Sequence, residues 1–136
     1  MTALVLDSEA LSQLIHEGPS ERRIRAALES AHNSSVPVFV PAAVLAELYR
    51  GGRHDQSLDS FLSGKPGIGI IDIDRALARR VGNTLALAGL GSVHHVDATV
   101  IAAVLTRGGG VVLTGDPDDL HTIAGHSPGV QIIAIA

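Results

Sequence analysis

The sequence predicts an α/β protein with a parallel sheet covered by helices on both faces. Short apolar runs alternate with helical stretches along all 136 residues, the order that builds βαβ units. The chain is 46% hydrophobic but only 2% aromatic. Its core must therefore come from Ala, Val, Leu and Ile, as in strands buried on both faces. No repeat, linker or low-complexity segment interrupts the pattern, and this length suits one domain, residues 1–136.

Residues 3–6 read as a short buried strand, followed by a helix over 8–16 that Asp7 or Ser8 would cap. Gly18-Pro19 breaks that helix, and Ser20 opens a second over 21–33, with Arg22, Arg23 and Arg25 on its solvated face. Val36 to Val40 is a second strand, in which Pro37 argues for a strand start. Pro41 suits the first position of a helix that Ala42 to Arg50 continues and Gly51-Gly52 stops. His54 to Leu62 is a further short helix, and Gly64-Lys65-Pro66-Gly67 is a turn. Ile68 to Ile71 is a third strand. Asp74 caps a long helix ending near Gly89 or Gly91. Asp97 begins the apolar helix Ala98 to Arg107, which Gly108-Gly109-Gly110 closes. Val111 to Thr114 is the fourth strand, Asp118 to Ala124 a short helix, and Val130 to Ala134 the fifth strand.

Several function classes are excluded. There is no cysteine, hence neither a disulfide framework nor a thiolate metal site, which fits a reducing cytoplasm. No apolar run approaches the roughly 18–20 residues that span a bilayer, so a membrane role is not expected. A net charge of −4 does not suggest a general nucleic-acid binder. Acids committed to cations would leave a less acidic exterior than that sum implies.

Four acids carry the chemistry. Asp7 follows the apolar run Ala3-Leu4-Val5-Leu6, and Asp116 follows Val111-Val112-Leu113. Ligands in open parallel sheets sit beyond the carboxyl ends of the strands, at the switch in strand order. Glu47 and Asp97 lie on helices that would abut those ends, with Glu47 expected toward the sheet-facing side. Each acid alone has an ordinary reading as a cap, a turn residue or a surface side chain. Together they would repel one another unless a hard divalent cation lay between them. The absence of a Cys or His ligand pattern favours Mg²⁺, with Mn²⁺ as substitute, over zinc.

The phrases Leu4-Val5-Leu6-Asp7-Ser8, Val44-Leu45-Ala46-Glu47-Leu48, Val96-Asp97-Ala98 and Leu113-Thr114-Gly115-Asp116-Pro117-Asp118-Asp119-Leu120 occur in this order. This ordered set resembles the PIN-domain ribonucleases, and within them the VapC-type toxins of VapBC toxin–antitoxin pairs. The resemblance covers essentially the whole chain. It implies a PIN-like three-layer α/β/α sandwich with a five-stranded parallel sheet, and a Mg²⁺-dependent RNA endonuclease in the cytoplasm. By motif match Asp7, Glu47, Asp97 and Asp116 take the family's acidic positions, with Asp7, Asp97 and Asp116 as metal ligands. Glu47 would hold or deprotonate the attacking water or bind a second ion. Thr114 matches the small hydroxyl residue that orients the last acid. Gly115 stands where family members often carry Ser, with Asp118 or Asp119 as compensating acids. The resemblance also implies a VapB-type antitoxin and a homodimer. Leu11, Leu14, Ile15, Ile24 and Leu28 are candidates for the groove that an antitoxin helix enters. Because of Gly115, the rival reading is a PIN-like module that binds RNA or protein and cuts nothing.

The other marked residues point less far. Arg50 and Arg53 would either grip RNA phosphates or complement a helix end. Arg107, Arg75, Arg79 and Arg80 read as helix-end or solvated residues. Adjacent His94 and His95 point apart on regular structure and read as loop residues; the remaining histidines, His126 among them, show no ligand spacing. Asp7-Ser8-Glu9 lacks the Asp-x-Asp of phosphoaspartate phosphatases, and no Walker-type sequence is present.

Overall fold

The computed structural model describes residues 2–64, 67–125 and 127–136. Lys65 and Pro66 of the expected turn, and His126, lie outside the described residues. Five strands form one sheet: β1 (Leu4–Leu6), β2 (Val38–Pro41), β3 (Ile68–Ile71), β4 (Gly110–Thr114) and β5 (Val130–Ala134). Every pairing is parallel and the order is β3-β2-β1-β4-β5. The helices are α1 (Ser8–Ile15), α2 (Glu21–Asn33), α3 (Ala42–Leu48), α4 (Gly52–Gly64), α5 (Arg75–Ala88), α6 (His95–Thr106) and α7 (Pro117–Ala124).

The strand order has a direct consequence. The chain runs outward from β1 to β2 to β3, returns to the far side of β1 as β4, and continues to β5. Right-handed crossovers then place α1–α4 on one face and α5–α7 on the other, and α5, α6 and α7 do pack on one another. The switch in direction lies between β1 and β4. Asp7 and Asp116 leave the sheet at those two carboxyl ends.

The layers follow from the sequence pattern. All of β1 and β4 is buried, as apolar runs covered on both faces require. In α6 the seven residues Ala98 to Val104 are all buried. A helix apolar all round must be enclosed, and α6 lies between the sheet and its neighbours α5 and α7. Truncating a fully buried side chain such as Ile101 to Ala would cost about 2–5 kcal/mol. The amphipathic α2 buries Ile24 and Ala31 and exposes Arg22, Arg23 and Arg25, the last paired with Glu21.

Element ends differ from expectation where local chemistry intervenes. Strand β2 starts at Val38 rather than Val36, since Pro37 has no N–H for the ladder while its carbonyl accepts from Leu4 N–H at 2.9 Å. Pro41 pairs with Ile71 as the last strand residue and sits just outside α3. That helix stops at Leu48. Helix α6 begins at His95, after a 3₁₀ turn over Ser92–His94, so Asp97 lies inside its first turn. The expected caps are present: Asp74 accepts from Leu77 N–H at 2.8 Å, and α5 closes at Gly89 in the left-handed conformation.

Candidate active site

Strand β1 ends at Leu6, and Asp7 is held beside β4 by its backbone N–H, which donates to the Leu113 carbonyl at 3.1 Å. Its carboxylate accepts the Ala10 N–H at 2.9 Å and so caps α1. At 6% exposure it is the most buried of the four acids. Across the switch, Thr114 is fully buried at the end of β4. The Thr114 oxygen accepts the Asp116 N–H at 2.8 Å, and its hydroxyl hydrogen-bonds the Asp7 carboxylate. One hydroxyl thus joins both strand-end acids. Asp116 caps α7 by accepting from Asp119 N–H at 3.4 Å. Asp7 and Asp116 are therefore caps, as each reads singly, and members of a cluster as well.

Asp97, half-buried in the first turn of α6, is where the acids meet. Its pKa is pushed up to about 6, first by burial and then by the charges of Asp7, Asp119, Asp116 and Glu47. All four expected acids thus act on one centre, together with Asp119. Asp7 is also raised above the ordinary carboxylate range by burial. Hydrogen bonds from Thr114, Ala10 N–H and Gly115 N–H oppose that shift, and the Glu9 charge adds to it. Asp119 is raised chiefly by a carboxyl–carboxyl hydrogen bond with Asp116 and by that neighbour's charge. Among the described residues no ion pair with Lys or Arg relieves any of these acids. Hard oxygen donors that repel one another, with only the neighbouring His94 to offset the Asp119 charge, fit a divalent cation.

Glu47 departs from expectation. It is exposed on the last turn of α3 rather than turned toward the sheet, although its charge still reaches Asp97. Beside it opens a cavity of about 540 Å³ lined in part by Ala46, Glu47, Arg50, Ile73 and His95. Arg50 turns back on α3 and donates to the Ala46 and Tyr49 carbonyls at 3.1 and 2.6 Å, which is the helix-end reading. The Arg50 and Gly51 N–H groups both donate to Asp55 at 2.8 Å. The phenol of Tyr49 donates to Asp59, so the α3–α4 corner is tied by side chains. Arg107, at the end of α6, lies 4.5 Å over the Phe39 ring.

Three residues near the site were not assigned a place from sequence. Asp119 was expected only as a compensating acid, yet it lies in the first turn of α7 against Asp116. Glu9 packs its side chain where a Cβ on Gly115 would stand, 2.2 Å from the Glu9 Cγ. Gly115 therefore makes room for Glu9, and its own N–H serves Asp7. His94 is not a bystander in a loop: a ring nitrogen and carboxylate oxygens of Asp97 and Asp119 all lie within 4.8 Å of one another. The i to i+3 spacing of His94 and Asp97 was the available signal. The expected partner groove is also corrected. Leu11, Leu14 and Ile24 are core residues, fully or almost fully buried, and only Ile15 and Leu28 stay half-buried.

Comparisons with known proteins agree with this geometry. The PIN domain family model matches residues 4–125. Among solved structures, VapBC2 from Rickettsia felis, bound to a DNA fragment from their promoter, superposes with a TM-score of 0.72 at 18% identity over 98% of both chains. DNA-bound VapBC from Salmonella typhimurium gives 0.67 at 21% identity over 100% of both. FitAcB from Neisseria gonorrhoeae gives 0.67 at 19% identity over 97% of both. At such identities the likeness is one of fold. Among curated proteins none matches. With the family model spanning β1 to the end of α7, and the acids gathered at the switch in strand order, the chain belongs to the PIN domain family.

Proposed function

We propose that this chain is a Mg²⁺-dependent endoribonuclease, the toxin of a type II toxin–antitoxin module, acting in the cytoplasm. The observation that carries the reading is the set of charges converging on Asp97, with no Lys or Arg ion-paired to them among the described residues. Asp7, Asp97 and Asp116 would hold the cation. When bound, it supplies neutralisation of the phosphate and acidification of water. Mn²⁺ would substitute.

The chain's own groups account for the remaining chemistry. Asp7 is held in place by three hydrogen bonds and Asp116 by the Thr114 oxygen, so neither needs to reorganise during reaction. Glu47, exposed at the rim, would accept a proton from the attacking water. The water oxygen forms the new bond to phosphorus as the bond to the 3′-oxygen breaks. The products are a 5′-phosphate and a 3′-hydroxyl. Gly115 does not count against activity, since its N–H supports Asp7 and its missing side chain accommodates Glu9.

The partner is proposed as a VapB-type antitoxin that closes the acidic cleft. It is supported by the family and by neighbours of the same fold that are toxin–antitoxin complexes. A homodimer is proposed on the family alone. For the enzyme, Asp97→Asn is the test. The variant should keep its fold by circular dichroism and lose RNA cleavage by about 100-fold or more, as removal of a key charge-stabilising group does elsewhere. Cleavage at the wild-type rate by a folded Asp97→Asn chain would falsify the assignment.

A further inference from the structure

We propose that His94, Asp97 and Asp119 form a mixed nitrogen–oxygen cation site that takes a first-row transition ion, such as Mn²⁺, in preference to Mg²⁺. The proposal deepens the metal-dependent reading above and rests on it for the participation of Asp97.

The site is built by two helix starts. His94 ends the 3₁₀ turn and immediately precedes α6, Asp97 lies three residues on in its first turn, and Asp119 lies in the first turn of α7. Helices α6 and α7 pack against each other, which brings the two starts together. One donor atom from each side chain then falls within 4.8 Å of the other two. Ligands on one ion at about 2.1 Å stand about 3.0 Å apart when adjacent and about 4.2 Å apart when opposed, so side-chain rotations of an ångström or so would close the set. Asp119 is exposed and His94 half-buried, which leaves both free to make that adjustment.

The donor chemistry decides which ion. Carboxylates alone suit Mg²⁺, Ca²⁺ and Mn²⁺, whereas imidazole suits the later first-row ions. One imidazole beside two carboxylates shifts preference away from Mg²⁺ and toward Mn²⁺, Co²⁺ or Zn²⁺. Asp97 belongs both to this set and to the set with Asp7 and Asp116, and its two oxygens can serve two ions. His95, the next residue, points elsewhere and lines the cavity beside Glu47. The two adjacent histidines are thereby separable by experiment.

The test measures Mn²⁺ binding to the full chain by electron paramagnetic resonance of the free ion, with Mg²⁺ as competitor, at a pH where imidazole is generally neutral. Wild type should bind Mn²⁺ about tenfold or more tightly than Mg²⁺. His94→Ala should weaken Mn²⁺ by about tenfold or more and change Mg²⁺ by less than about twofold, since even outer groups around a metal matter by 10–100-fold. In ¹⁵N-imidazole spectra, substoichiometric Mn²⁺ should broaden the His94 signal before that of His95. Unchanged or tighter Mn²⁺ binding in His94→Ala overturns the site, because His94 is then only a counter-charge to the acids. Equal broadening of His94 and His95 overturns it as well. RNA cleavage in Mg²⁺ is read separately. A chain that cuts RNA while His94→Ala binds Mn²⁺ normally loses this site alone. A chain that shows the His94 pattern but cuts nothing loses the nuclease reading and keeps the site.

Discussion

At the amino end of the sheet the chain closes with backbone groups and the Thr2 hydroxyl, which donates to the Gly109 carbonyl, whereas at the carboxyl end it gathers carboxylates. Gly108, Gly109 and Gly110 bring β4 in at positive φ, and Gly110 N–H donates to the Gly129 carbonyl at 2.9 Å. Val111 N–H donates to the Ala3 carbonyl at 2.9 Å. No charge is involved, and polar backbone groups find partners in adjoining segments. At the other end, burial and the charges of Asp7, Asp119, Asp116 and Glu47 raise the cost of ionising Asp97, and Asp116 raises that of Asp119. The contrast separates a region shaped for stability from one that gives up some stability to hold like charges together. Local departures from the best-packed solution are expected at functional sites.

Substitution at the amino end should have the larger effect on folding. Gly110 has φ 152° and a Cβ there would stand 2.1 Å from the Ala3 carbonyl oxygen. Gly110→Ala should therefore lose about 3 kcal/mol of stability, read as a lower urea midpoint at unchanged m-value. A variant as stable as wild type would break the account of how this end closes.

The carboxyl end should respond to pH and cations instead. A carboxyl raised from its ordinary value to about 6, as in Asp97, favours the folded state when protonated. That contribution is complete below about pH 4, declines as pH rises to about 6, and is absent above. Metal-free protein should lose about 1 kcal/mol across this window, since Asp97 is half-exposed and its shift must be discounted for screening. Millimolar Mg²⁺ should raise the melting temperature, and more so above about pH 6.5 than near pH 4.5. Melting curves that Mg²⁺ leaves unmoved at every pH would mean that the acids do not act as a cation site.

The smallest effect belongs to Gly115→Ser. A Cβ there would stand 2.2 Å from the Glu9 Cγ, which can swing aside, and 2.7 Å from the Glu9 Cβ, which moves only if the start of α1 shifts by a few tenths of an ångström. Stability should fall by about 0.5–1 kcal/mol, and Glu9→Ala in the same chain should recover only the part due to the Cγ contact. A loss that Glu9→Ala leaves wholly unchanged would show that the Cγ contact plays no part.

Legibility in the sequence followed how local each determinant is. Asp7 and Asp116 could be read because apolar runs end just before them, and a parallel sheet puts such ends together. Strand β5 was readable to the residue, an apolar run opened by Gly129. His94 was missed because divergence of neighbouring histidines, which the structure keeps, bars only the pair from one site; His94 alone, at the end of a 3₁₀ turn three residues before Asp97, still reaches the acids. Glu47 was misjudged because α3 is only seven residues long and ends one residue later, so flanking apolar residues did not fix its direction. Leu11, Leu14 and Ile24 were candidates for a partner surface because an amphipathic stripe looks the same whether a sheet or another protein covers it.

The lone tyrosine gives the molecule an intrinsic optical probe. Tyr49 is its only tyrosine and there is no tryptophan, so phenol emission comes from one place, two residues beyond Glu47, with its hydroxyl on Asp59. Occupants of the cleft that displace the corner between α3 and α4 can be titrated by ultraviolet fluorescence on unmodified protein, without any introduced dye.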